Sequence, residues 1–304
     1  MNRRQFIRDV LLWSAGTTLA LPRFTILPDA LADDRPAALL SVAKGEDYAA
    51  LVAKVLEPLG GMAQFVKPGD RVVVKPNIGW DRSPEQAANT HPLVVKAVVS
   101  QALAAGAKRV QVFDRTCNEQ RRCYANSGIE QAIRELGDDR AVIEHIDQRK
   151  FVPVEIAKGK ALTRWEIYKD ALDCDCYINL PVAKHHGLSR LTLGLKNTMG
   201  VIGGNRGSLH HDLGQSLADL ATVIKPKLTL IDATRILLNN GPQGGNLSDV
   251  RRMDTLIASA DPVAADAYAT TLFELPPDAI DSTLAAYRMG LGEMALDRIK
   301  VVTA

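Results

Sequence analysis

Leu51, Val52, Val55, Leu56 and Leu59 recur at helical spacing, and the pattern predicts an amphipathic helix ending near Gly60-Gly61. Pro68-Gly69-Asp70 reads as a turn, and Arg71-Val72-Val73-Val74-Lys75 as a short buried strand. After a loop through Asp81-Arg82-Ser83-Pro84, Pro92 stands where a first helical turn accepts it, because its missing N–H is no loss there. Val94, Val95, Val98, Val99, Ala102 and Leu103 mark one face of that helix, and Gly106 closes it. Arg109-Val110-Gln111-Val112-Phe113 is the next strand, so this stretch predicts a βαβ unit with parallel neighbours. The alternation continues with a helix near 127–136 and strands near 142–145, 152–156 and 175–180. A helix on Leu213, Leu217, Leu220 and Ile224 follows, then a strand at 227–231 and a helix opened by Asp261-Pro262. Such alternation predicts an α/β fold: a mostly parallel sheet flanked by helices, with 148–163 as a candidate boundary between two α/β lobes.

The first thirty-two residues break this pattern. Arg3-Arg4 with Phe6 precedes an apolar run from Val10 to Leu21 and the small-x-small site Ala30-Leu31-Ala32. These features resemble a twin-arginine export signal, cleaved after Ala32. The run is shorter than the roughly 20 residues a membrane span needs, so the mature chain 33–304 is expected to carry no stable span. Its expected place is the periplasm or the outside of the cell, reached through the twin-arginine translocase. That route carries folded proteins, which suits one that acquires a cofactor before export.

Composition narrows the class. The chain has 304 residues, 46% hydrophobic and 24% charged, which excludes disordered, collagen-like and coiled-coil readings. The net charge of +2 belongs to the leader, which holds Arg3, Arg4, Arg8 and Arg23 against Asp9 and Asp29. The mature chain is neutral, so a nucleic-acid partner is not expected.

Candidate chemistry collects at strand ends, where open parallel sheets bind ligands. Lys75-Pro76-Asn77, Asp114, Asn179-Leu180-Pro181 with Lys184-His185-His186, and Asp232 all follow predicted strands. Two histidine pairs, His185-His186 and His210-His211, flank Lys196-Asn197-Thr198-Met199-Gly200 and the loop Gly203-Gly204-Asn205-Arg206-Gly207. Either these are structural histidines, or His186 and His210 with Asp232 ligate a divalent metal. Lys75, Lys184 and Arg206 suit a small anionic ligand. A lysine kept from water, Lys184 or Lys196, serves as base or nucleophile, while an exposed one is only a charge. Cys117 and Cys123 are spaced to pair as a disulfide, or the four cysteines are small buried side chains.

The strings Val74-Lys75-Pro76-Asn77, Thr90-His91-Pro92, Leu195-Lys196-Asn197-Thr198-Met199-Gly200, Ile231-Asp232-Ala233 and Asp261-Pro262-Val263-Ala264-Ala265-Asp266 resemble the DUF362 family. The resemblance implies that Lys75, Asn77, Lys184, His186, Lys196, Asn197, His210, Asp232 and Asp266 are the site positions. Some members carry iron–sulfur modules; this chain lacks their CxxCxxCxxxC run. The order His186, Lys196, His210 is more distantly similar to the nickel-pincer lactate racemases, which implies a cofactor-bearing lysine with histidines that bind nickel or shuttle a proton. The resulting expectation is a metal- or cofactor-dependent enzyme on a small anionic substrate. In it Lys184, His186, Lys196 and His210 are catalytic, and Lys75, Asn77, Asn197 and Arg206 bind the cofactor. A non-catalytic periplasmic ligand-binding protein and an iron–sulfur redox protein are the alternatives.

Overall fold

Three consecutive valines decide the layering of the sheet. Val72 and Val74 join one apolar cluster, with Val94 and Val98 of a covering helix, while Val73 joins another with Phe113 and Tyr168. Successive side chains of a strand point to opposite faces, so a strand covered on both reads as a continuous apolar run. Each such side chain taken fully out of water contributes about 1.5–3 kcal/mol before entropy is counted.

The computed structural model describes residues 37–304, which form one compact unit. Residues 1–32, where the export signal and its cleavage point are expected, lie outside the described residues. The strands are β1 (Ala38–Lys44), β2 (Arg71–Pro76), β3 (Arg109–Val112), β4 (Ala141–Ile143), β5 (Phe151–Glu155) and β6 (Arg164–Tyr168). They continue as β7 (Cys176–Leu180), β8 (Val182–His186), β9 (Arg190–Thr192), β10 (Leu228–Leu237), β11 (Val250–Ser259) and β12 (Ile299–Thr303). The main sheet runs β12-β1-β11-β10-β7-β2-β3-β4, with β8 paired to β10 and β9. Along that path only β11 opposes its neighbours, so the mostly parallel α/β sheet is present.

The predicted βαβ unit is β2, the helix Pro92–Ala104 and β3, in register from Arg71↔Arg109 to Val74↔Val112. Caps agree with the sequence. Asp47 accepts the N–H groups of Ala49 and Ala50, and Asp261 those of Val263 and Ala264, each cap adding about 1 kcal/mol.

The helix expected near 127–136 is present as Ile129–Arg134, after Gly128, whose φ of 73° favours glycine, and a separate helix, Gln120–Asn126, precedes it. The strand at 227–231 continues to Leu237, because β11 pairs along its whole length, from Thr229↔Ser259 to Leu237↔Val250. The stretch 148–163 lies inside the compact unit 37–304: its β5 pairs with β6, and Phe151 packs on the cluster of Val73 and Phe113. No helix among the described residues is long and apolar enough to cross a membrane.

For the site, one bend matters most. β7 turns at Pro181 into β8, which leaves β2 and pairs with β10 beyond Asp232. Lys184 and His186, two residues apart, therefore share one side of β8, above the ends of β2 and β7.

Candidate functional site

A cavity of about 560 Å³ opens at the carboxyl ends of β2, β3 and β7. Lys75, Asn77, Lys184, His186, Lys196, Asn197, Arg206 and His210 all line it, joined by Asp114, Trp80, Cys117 and Gly200. Residues up to 135 positions apart thus meet at one rim, as the strand-end rule requires.

Its deep wall is a closed polar network. Lys75 Nζ lies 2.9 Å from Asp114 Oδ1 and donates to Asn197 Oδ1 at 2.7 Å. Asn197 Oδ1 also accepts from Asn77 Nδ2 (3.2 Å), while Asn197 Nδ2 donates to Asn179 Oδ1 (2.8 Å) and to the Lys75 carbonyl (3.1 Å). Asp114 Oδ2 accepts the Ile78 N–H at 2.6 Å. Burial lowers the Lys75 pKa, and Asp114 opposes that shift. A buried charge is tolerable when paired and hydrogen-bonded like this one. Gly200 is required here: a Cβ on it would run into Asp114 Oδ1 and Lys75 Nζ.

Among the described residues, no carboxylate pairs with either of the other two lysines. Lys184, only 1% exposed, donates to Asn77 Oδ1 at 3.1 Å and to the Ala88 carbonyl, with Trp80 beside it. Burial pulls its pKa down to about 7, and neighbouring lysines add to the effect. An ammonium has three protons, so one remains after those two bonds. Lys196 lies on the short helix Gly194–Asn197 and donates only to the Met199 thioether, 3.3 Å away. Burial lowers its pKa to about 8; Cys117 opposes that fall and Arg206 adds to it. That helix is held by Asp266, whose oxygens accept the N–H groups of Gly194 (2.6 Å) and Leu195 (2.9 Å). Burial pushes the Asp266 carboxyl up to about 7 against those two bonds. Asp266 is thus a brace behind the site.

The histidines divide by tautomer. His186 Nδ1 accepts the N–H groups of Leu188 (3.1 Å) and Ser189 (3.3 Å). Burial and the nearby Lys196 and Lys184 hold its pKa near 3, so the ring is neutral with its proton on Nε2. His210 Nδ1 sits 3.0 Å from the Gly207 carbonyl, so Nδ1 carries the proton and Nε2 has a free lone pair. Three of the other four histidines do other work. His91 stacks on Tyr48 at the start of Pro92–Ala104, His145 meets Tyr124 edge-on, and His185 accepts the Gly241 N–H.

Several expectations change here. Asp232 is not in the cavity: it lies within β10, and its oxygens accept from His91 N (2.7 Å), Thr234 N (2.9 Å) and Thr234 Oγ1 (2.7 Å). A metal on His186, His210 and Asp232, nickel or another divalent ion, therefore does not fit. Among the described residues no three His, Cys, Asp or Glu side chains are grouped to hold an ion. Arg206, expected to bind the cofactor, instead spends its guanidinium on the carbonyls of Arg115 (2.9 Å), Met199 (3.1 Å) and Thr116 (2.9 Å), and so ties the glycine loop down. Cys117, Cys123, Cys174 and Cys176 are all free thiols, neither a disulfide nor a cluster set. Burial raises Cys123 and Cys174 to about 11 and Cys176 to about 12. Sequence reasoning missed Trp80, Gly200 and the pocket position of Cys117. Gly200 at the end of the Lys-Asn-Thr-Met run was the one visible signal.

Comparison with known proteins gives a family. The model described as "Domain of unknown function (DUF362)" matches residues 72–271. A thylakoid-associated protein of Synechocystis is 32% identical over 251 residues, covering 80% of this chain and 75% of that one. Among solved structures, the lactate racemase apoprotein of Thermoanaerobacterium thermosaccharolyticum aligns with a TM-score of 0.45 and 12% identity, over 78% of this chain. A Thermotoga maritima protein aligns with a TM-score of 0.42 and 12% identity, over 76% of this chain. The chain spans 56% and 60% of those two structures.

Proposed function

The chain belongs to the DUF362 family, and on that premise we propose that it is an enzyme that binds a small anionic substrate in this cavity and moves a proton at it. One observation carries the reading. Lys75, Lys184 and Lys196 are buried around one hollow whose only lining carboxylate, among the described residues, is Asp114. Asp114 neutralises Lys75 alone, so the rest of the hollow favours negative charge.

Roles follow from the hydrogen bonds. Lys184 offers its third proton, and His186 its Nε2–H, to the anion. Lys196 is a base near neutrality, and the Nε2 lone pair of His210 is a second proton acceptor. Burial disfavours the charged form of Lys184 and Lys196, which is why these amines titrate close to working pH.

The test is a panel of small carboxylates and phosphates, followed by calorimetry for binding and by NMR for deuterium uptake from D2O. Lys184→Met is expected to weaken binding about tenfold, some 1.4 kcal/mol. His210→Gln is expected to retain binding and lose exchange. Binding without exchange for any tested acid would establish the carrier alternative and end the enzymatic reading.

Export belongs to the same proposal. Arg3-Arg4, the apolar run and Ala30-Leu31-Ala32 support passage through the twin-arginine translocase to the periplasm or beyond. Replacing both arginines by lysine is expected to leave the protein in the cytoplasm; unchanged export of that variant contradicts this placement.

A further inference from the structure

Among the three cavity lysines, Lys196 is chemically the odd one. Lys75 is paired with Asp114, and Lys184 is anchored to two oxygen acceptors. Lys196 has only a thioether partner, and a thioether is a weak acceptor that does little to retain an ammonium. It is also the most open of the three, 8% exposed against 1% for each of the others. Its helix is pinned at the other end by Asp266, so the amine is held toward the hollow by a rigid support.

We propose that Lys196 is an amine nucleophile that forms an imine with a small carbonyl acid, a 2-oxo or aldehyde acid, bound in the cavity. This rests on the anion-pocket reading above and names its substrate class. The Nζ lone pair attacks the carbonyl carbon, and the C=O π pair moves to oxygen, which takes up the first of the two protons of the attacking nitrogen. The nitrogen loses a proton from the resulting carbinolamine, hydroxide leaves with that proton as water, and a C=N bond remains. No electrons are exchanged with any other reactant. Lys184 and the His186 Nε2–H hold the carboxylate, and His210 Nε2 relays the proton from nitrogen to the leaving hydroxyl. Burial keeps the amine partly unprotonated near neutrality, at a pKa of about 8. Desolvation is the usual means of activating a lysine for this chemistry.

The full chain is incubated with glyoxylate and cyanoborohydride, and the product is mapped by peptide mass. Glycolate, of the same size and charge without the carbonyl, is the competitor and the calorimetric probe. The expected result is one reduced adduct on Lys196, at least about tenfold above any exposed lysine and suppressed about tenfold by excess glycolate. Lys184→Met is expected to keep the adduct on Lys196 while raising the glyoxylate concentration needed. Glycolate binding with no adduct at Lys196 overturns the imine and leaves the anion pocket standing. Absence of both binding and adduct overturns the two together. Labelling of exposed lysines at the same level, insensitive to glycolate, also overturns the proposal. Lys196→Met, checked for folding by its thermal transition, is expected to bind glycolate and to lose the adduct.

Discussion

The deep wall and the rim of the cavity are built from the same residue types and behave as opposites. On the wall, Lys75, Asp114, Asn77, Asn179 and Asn197 connect to one another through bonds of 2.7–3.2 Å. At the rim, Lys196 meets a sulfur, and His186 and His210 each keep one ring nitrogen outside the hydrogen bonds described. A satisfied network rigidifies; an unsatisfied group in a hollow is available to a ligand. Buried lysines are therefore not equivalent, and what divides them is the set of acceptors already in place.

Breaking the wall should have the largest effect. Lys75→Met leaves Asp114 buried without its cation and strips Asn197 of a donor, so urea unfolding should show a loss of about 3–5 kcal/mol. A loss under about 1 kcal/mol would place the Lys75 ammonium in the substrate-binding set instead of the scaffold.

Lys184 lies between the two regions and should give an intermediate, pH-dependent effect. The unfolded chain keeps this proton up to its ordinary value of 10.5, whereas the folded chain releases it near 7. Between those values folding expels a proton, so stability rises with pH across the window, and below 7 the full cost of the buried charge is present. Lys184→Met should flatten that rise by about 1–3 kcal/mol between pH 7 and 10, measured by urea unfolding at each pH. An identical slope in the variant would show that Lys184 stays protonated in the fold.

Rim substitution should matter least for stability. Lys196→Met should shift the unfolding free energy by less than about 0.5–1 kcal/mol, because only a thioether contact is lost. A destabilisation as large as that of Lys75→Met would erase the distinction between wall and rim.

Much of this was legible along the chain. The valines of β2 and of the helix after Pro92 specify buried strand and covering helix by period alone, and proline and aspartate mark where helices start. Placing ligand chemistry after parallel strands then brings Lys75, Asn77, Lys184 and His186 to one edge, since that edge is common to all parallel neighbours. Asp232 escaped the rule for a local reason: β11 extends β10 beyond it, turning an expected strand end into mid-strand. Arg206 and Asp266 escaped it because a charge can face a ligand or brace a loop, and only the position of carbonyls and amide groups decides which.

Periodicity and strand order are properties of neighbours in the chain, and so the α/β class, the βαβ unit and the gathering of lysines at one rim could be derived from residue order. Whether a given lysine ends beside a carboxylate or an amide oxygen depends on residues tens to more than a hundred positions away, as Lys75 shows with Asp114 and Asn197. No local pattern encodes those distances. The fold alone settled which amines are spent on structure and which remain for chemistry.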